Sequence, residues 1–242
     1  MANIQVALIN ASTVLQDSQV QAILQVLQIH VRQHFAPVWG VDAELAFVPR
    51  GASAAPGSWW LTVLDNSDQP GALGYHDLTD QGLPLGKVFA GTDIQAGNKW
   101  TVTANHELLE MLSDPDINLA AYVQEDGGVM LLYAYEVCDA CEDDQFGYPI
   151  NGVTVSDFVF PAWFESSRTP RSTQFDYQSR INQPFQLLSG GYISVFDTSN
   201  NNGWTQVVGQ EQDSRYAMRA PVGSRRERRR TPRSQWMRSR LR

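Results

Sequence analysis

The sequence predicts an α+β protein, with a twisted mixed sheet, one backing helix, a second helix that carries chemistry, and then a lower half rich in loops and strands. Three observations predict it. Alternating residues at the start give way to a helical period and then to further strand-like runs. A second helical period covers roughly residues 100 to 113. After Pro115 the chain returns to short extended runs punctuated by glycine and proline. With 242 residues, 43% of them hydrophobic, the chain can bury a sizeable core. One domain is expected over residues 1–214, its upper lobe about 1–115 and its lower lobe about 116–214, followed by an arginine-rich tail over 215–242 that composition predicts to be disordered.

The elements follow in order. "NIQVALINAS" alternates as a strand does, and Asp17 or Ser18 is placed to cap the next helix, in which Val20, Ile23, Leu24, Leu27 and Val31 recur at helical spacing. Ala36-Pro37 is the expected stop. "AELAFVPRG" and "SWWLTVLDNS" read as two strands around the small-residue loop "GASAAPG", and "GALGYHDLTDQG" with "PLGKVFAG" reads as a strand pair. Beyond the second helix, "GVMLLYAYEVC", "GVTVSDFVFPAWF", "GGYISVFDT" and "GWTQVVG" are the strand-like runs. The order strand, helix, strand, strand, strand pair, helix is that of the upper lobe of zincin-type metallopeptidases. A shared order alone does not dictate function.

Charge narrows the partners. The net charge of -8 divides into a body, residues 1–214, with 25 acidic and 7 basic side chains, and a tail in which 11 arginines face only Glu227. Such a body repels nucleic acid and attracts cations, and only the tail has the charge for phosphate, an anionic surface or the body itself. The tail lacks any folded reader motif, and Trp59, Trp60, Trp163 and Trp204 have no basic residues interleaved to form a stacking platform. There is no run of 18 apolar residues and no basic flank ahead of a long apolar stretch, so neither export nor a membrane span is expected and the cytoplasm is the expected compartment. Cys138 and Cys141 are the only cysteines, too few for a disulfide framework.

The second helix carries the candidate chemistry in "NHELLEMLSDP". At about 100° per residue, with His106 at zero, Glu110 falls at about 40°, Asp114 at about 80° and Glu107 at about 100°, while Leu108, Leu109, Met111 and Leu112 occupy the opposite side. An ordinary amphipathic helix with a solvated acidic face would give the same pattern. Against that, the face has no lysine or arginine to pair with its carboxylates, and Asp114 sits at the helix end that disfavours negative charge, just before Pro115. Residues four apart can grip one ion, so His106 and Glu110 are expected ligands, and Glu107 beside them is the expected general base. Zinc is the expected ion. A carboxylate in place of a second histidine hardens the site and weakens its selectivity against other divalent metals.

A third ligand must come from elsewhere. Glu136, at the end of an apolar run, is the candidate, with Asp139 and Asp114 as further possibilities, Asp139 either ligating or orienting His106. Cys138 and Cys141 offer half of a structural zinc site that His106 and a carboxylate would complete, against the alternatives of a local disulfide or two buried thiols.

"NHELLEMLSDPDIN", "YEVCDACEDD" and "YPINGVTVSDFVFPAWF" together resemble a group of bacterial and phage proteins of metallopeptidase type, in which an H-E-L-x-E-x-x-x-D-P helix precedes an E-x-x-D-x-C segment. They are distantly similar to the plant phosphate-induced, exordium-like proteins. The resemblance covers Thr101 to Phe164 and, more weakly, "GYHDLTDQGLPLGKVFAG". It implies a zincin-like fold, a metal-dependent hydrolase, His106, Glu107 and Glu110 as the motif, and Glu136 as the downstream glutamate. The chain departs from ordinary zincins in lacking the second histidine and a recognisable methionine turn.

Lesser candidates remain. His76 in "LGYHDL" would bind substrate near the metal or be a polar member of the strand pair, the latter being favoured. Tyr148 would stabilise an oxyanion or simply pack. "DPDIN" begins like a calcium loop but lacks its glycine and glutamate, and His30 and His34, four apart, are expected on a partly exposed helix flank. The sequence thus predicts a zinc-dependent hydrolase, a peptidase acting on peptide or protein through a metal-activated water. The alternatives are a non-catalytic, metal-stabilised binding or structural protein with a phage association, and an adaptor working through the tail.

Overall fold

The computed structural model describes residues 4–69, 71–125, 127–199 and 203–209, and the arginine-rich tail lies outside them. Among the described residues three sheets, the third a two-stranded one, and a few helices make a mixed α+β architecture. The first sheet contains β1 (Ile4–Asn10), β2 (Ala43–Val48), β3 (Trp59–Leu64), β4 (Gly74–Leu78) and β5 (Pro84–Phe89), in the order β2-β1-β3-β5-β4. All pairs are parallel except β4 with β5, which places an antiparallel strand at one edge. Parallel neighbours cannot be joined by a tight turn, so the chain must cross over between β1 and β2, and a helical run does so. β1 is central and covered on both sides, which is why Val6, Ala7 and Leu8 are all buried rather than alternating.

The crossover consists of α1 (Asp17–Ala22), α2 (Leu24–Ile29), a π-helical stretch His30–Phe35 and α3 (Ala36–Trp39). Two details differ from expectation. Gln16, not Ser18 or Asp17, is the N-cap: its amide donates to the Gln19 side chain at 2.8 Å, while the Asp17 carboxylate accepts from Asn10 Nδ2 at 2.7 Å. The helix also continues past Pro37 to Trp39, ending at Gly40 with φ 72°. The Ala36 amide bonds Val31 five residues back, and Pro37 then falls in the first turn of a new α segment, where its missing N–H is no loss.

A short helix, α4 (Ala90–Ala96), leads into α5 (Trp100–Ser113), which packs on β3, β4 and β5. The second half adds β6 (Ala120–Gln124), β7 (Met130–Ala134), β8 (Tyr148–Ile150), β9 (Val153–Val155), β10 (Tyr192–Asp197) and β11 (Trp204–Val208). β11-β10-β7-β6 form an antiparallel sheet, and β8 and β9 a small hairpin. The run "GVTVSDFVFPAWF" is a strand only over Val153–Val155; the rest is a single bridge at Val159 and a 3-10 turn at Pro161–Phe164.

One hydrophobic cluster joins the halves. It draws Leu8 and Leu61 from the first sheet, Phe35 from the crossover, Leu108 and Met111 from α5, and Phe158, Trp163 and Ile193 from the second half. Among the described residues no helix is long and apolar enough to cross a membrane.

Leu108, fully buried in this cluster, is the sensitive position. Leu108→Ala is expected to cost about 2–5 kcal/mol in urea unfolding, whereas Ile94→Ser, at a residue 51% exposed, should change stability by less than about 0.5 kcal/mol.

Candidate metal centre

α5 is not the surface amphipathic helix that its angular pattern allowed. Its apolar face, Leu108, Leu109, Met111 and Leu112, is buried, and so is its polar face: His106 is 4% exposed, Glu107 2% and Glu110 0%. The first sheet covers one side, and β9 touches it from the second half. A solvated acidic face is therefore excluded by burial.

Close approach of α5 to β4 depends on Gly74, and a second glycine, Gly86, makes room for Leu61 within the sheet. A Cβ at Gly74 of β4 would lie 2.7 Å from Glu107 Oε1 and 2.7 Å from Thr103 Cγ2, and one at Gly86 of β5 would lie 2.9 Å from Leu61 Cδ1. The Glu107 carboxylate thus runs directly beneath β4. Asn105 anchors the far side by accepting the Ser156 amide at 3.0 Å, and the Thr101 hydroxyl donates to the Thr154 carbonyl at 2.9 Å.

Glu110 is the hub. Its Oε1 accepts the Cys138 amide at 3.0 Å, and its Oε2 lies 3.1 Å from His106 Nε2 and 3.9 Å from His76 Nδ1. Asp139 Oδ1 approaches the same His106 nitrogen at 3.2 Å. Two sets of side chains place potential ligand atoms within 4.8 Å of one another: His106, Glu110 and Cys138, and His76, Glu110 and Glu136. The expected ligands His106, Glu110 and Glu136 are thus divided between two sets that share Glu110. All these groups are buried, with Glu136 3% exposed, Asp139 2% and His76 1%.

The segment carrying Glu136 and Asp139 is fixed by backbone bonds. Val159 donates to the Val137 carbonyl at 2.7 Å, and Leu188 donates to that of Ala140 at 2.9 Å, next to the 3-10 turn Asp139–Cys141. Glu136 follows the end of β7, as a strand-end ligand was expected to do. Asp114 is engaged elsewhere: its carboxylate accepts the amides of Asn118 at 2.9 Å and Leu119 at 3.1 and 3.2 Å, closing the turn after α5, and neither ligand set includes it. That turn also accounts for "DPDIN" without calcium.

Cys138 and Cys141 are free, buried thiols, so the local disulfide is not formed. Burial, followed by the neighbouring Cys141, pushes the Cys138 thiol well above its usual range; burial, then Asp157 and Asp176, does the same to Cys141. Glu107 also acts on the Cys138 thiol through its charge, which puts it at the edge of the cluster.

The electrostatic balance is one-sided. Glu107, Glu110, Glu136 and Asp139 are buried together with two imidazoles, His76 and His106, and no lysine or arginine is buried among the described residues. Buried carboxylates demand either protons or a cation.

Comparisons with protein-family models, curated proteins and solved structures gave no match.

A second polar group lies on the crossover. The Tyr148 hydroxyl sits 2.7 Å from His30 Nε2 and 2.9 Å from His34 Nδ1, and Tyr148 stacks on His34 and Tyr177. The expected partly exposed flank holds for His34, which is half-buried, but not for His30, which is fully buried under Tyr148 of β8. Tyr148 packs here, its hydroxyl held between two rings. His76 is a member of the β4–β5 strand pair, as favoured, and it is also buried against α5, which nothing in "LGYHDL" shows.

Burial, then His34, lowers the His30 pKa from 6.5 to about 3. Between these values the unfolded chain binds a proton that the folded chain does not, so stability falls as pH drops, by up to about 1.4 kcal/mol per pH unit from this group. Urea unfolding from pH 7 to pH 4 should show a shallower pH slope in His30→Gln than in the unsubstituted protein.

Proposed function

We propose that this chain is a zincin-like metal-dependent hydrolase acting on peptide bonds, with a divalent ion, zinc by the chemistry of its donors, held by His106, Glu110, Glu136 and Asp139. One observation carries the proposal: the carboxylates of Glu110 and Asp139 both approach the Nε2 atom of His106, at 3.1 and 3.2 Å, inside a buried cluster in which carboxyl groups outnumber imidazoles. Ligands of a tetrahedral ion with bonds of roughly 2.0–2.1 Å stand about 3.4 Å apart, so these spacings fit. A residue that only oriented His106 would approach its other ring nitrogen, which favours Asp139 as a ligand. The mixed set of imidazole and carboxylate suits zinc and admits other transition ions. The sheet with one antiparallel edge strand above a ligand-bearing helix supports the zincin-like assignment, and the H-E-L-x-E-x-x-x-D-P resemblance supports the reaction class.

When bound, the ion would supply Lewis-acid polarisation of a carbonyl and make neighbouring water more acidic. Glu107, one residue along the helix from His106, accepts a proton from that water at its carboxylate and returns it to the leaving amine. Gly74 lets α5 lie close beneath β4, which keeps the Glu107 carboxylate beside the edge strand. The buried walls exclude bulk water and strengthen these interactions.

Closure of the site supports a second role. With His106, Glu110, Glu136 and Asp139 each no more than 4% exposed, the arrangement also suits a metal that stabilises a non-catalytic binding or structural protein, since structural sites are closed where catalytic ones keep an open position.

Metal content and peptide hydrolysis, measured together, separate the two. The enzyme role predicts one divalent ion per chain in both the unsubstituted protein and Glu107→Gln, with hydrolysis lowered by about 100-fold or more in the variant. Bound metal with no cleavage of any peptide library favours the structural role, and no bound metal overturns both.

A further inference from the structure

We infer that His76 is a metal ligand, the second imidazole that α5 itself does not provide. The inference rests on the metal-binding part of the function proposed above and goes beyond it, because His76 comes from the edge strand β4 and not from the helix or the acidic segment.

The geometry begins with the two oxygens of Glu110. Oε1 accepts the Cys138 amide, and Oε2 is turned towards two imidazole nitrogens from separate elements, His106 Nε2 at 3.1 Å and His76 Nδ1 at 3.9 Å. Glu136 joins the same side, its ligand atom within 4.8 Å of those of His76 and Glu110. Glu110 Oε2 is thus where the two ligand sets meet, His76 and Glu136 on one side and His106 on the other.

The register of β4 over α5 explains how His76 arrives there. Alternate residues of a strand share a face, so Gly74 and His76 point the same way. Gly74 lies over Thr103 and Glu107, and two residues on, His76 lies over Glu110, one helical turn along. The glycine lets the strand descend onto the helix, and the histidine uses that closeness.

Burial raises the stakes. The His76 side chain has no exposure and Glu110 none, so the two groups meet out of contact with bulk solvent. Two imidazoles with carboxylates make a set of borderline softness, which favours zinc, cobalt or iron(II) over calcium and magnesium. It also ties the edge strand to the helix through the ion, so that loading the site fixes the position of β4 above Glu107.

The test uses cobalt(II) and zinc as probes on the full chain. X-ray absorption of the zinc-loaded protein should fit two imidazole ligands, and His76→Gln should fit one. Zinc affinity, measured by competition with a chromophoric chelator, should fall by about 100-fold in His76→Gln and His76→Ala, and the cobalt(II) visible spectrum should change in position and intensity. A single imidazole in the unsubstituted protein, or zinc affinity within twofold in both variants with an unchanged cobalt spectrum, overturns the assignment of His76 and leaves the metal proposal standing. No ion bound to the unsubstituted protein overturns the metal proposal and this one with it. If the variants fail to fold, the imidazole count in the unsubstituted protein decides alone.

Discussion

The structure turns on the burial of carboxylates around one helix. α5 lies under β3, β4 and β5 and is held on its other side by β9 and the loops of the second half, so Glu107 and Glu110 have no route to solvent. Removing a carboxylate from water costs several kcal/mol unless a partner or a proton takes the place of the lost hydration. Here the immediate partners are two imidazoles and the Cys138 amide. Protons or a divalent cation can stabilise such buried carboxylates, and the metal proposed above is the second of these.

The rest of the fold can be seen as support for that arrangement. Parallel strands β1, β3 and β5 form one layer, and the antiparallel β4 adds an edge that approaches α5 closely because Gly74 carries no side chain. From below, backbone bonds from Val159 and Leu188 fix the segment that delivers Glu136 and Asp139. The hydrophobic cluster through Leu8, Leu61, Leu108 and Trp163 binds the two halves together around this centre. Positions set by two rigid layers are more exact than positions on a free loop, and metal sites need that exactness.

Local features were legible in the sequence and contacts between distant segments were not. The helical period placed His106, Glu107 and Glu110 together because 3.6 residues per turn is a local rule, and Glu136 stood out as the polar end of an apolar run. The same period could not tell a surface helix from an internal one, since that depends on what covers it. His76 was legible as a member of a strand pair, but its closeness to Glu110 was not, because it arises from the packing of β4 on α5, distant in sequence. Asp114 looked like a ligand because it shares a side with Glu110, but the chain leaves the helix there and the carboxylate closes the turn onto Asn118 and Leu119. Pro37 looked like a helix stop because a π-helical stretch is not written in propensity.

The most direct test of the account is anomalous diffraction from crystals grown with zinc, recorded above and below the zinc edge. The account predicts one peak at bonding distance, about 2 Å, from both Glu110 Oε2 and His106 Nε2. Crystals that show no peak there, with Glu110 and Asp139 instead sharing a proton or a hydrogen bond at neutral pH, would contradict it.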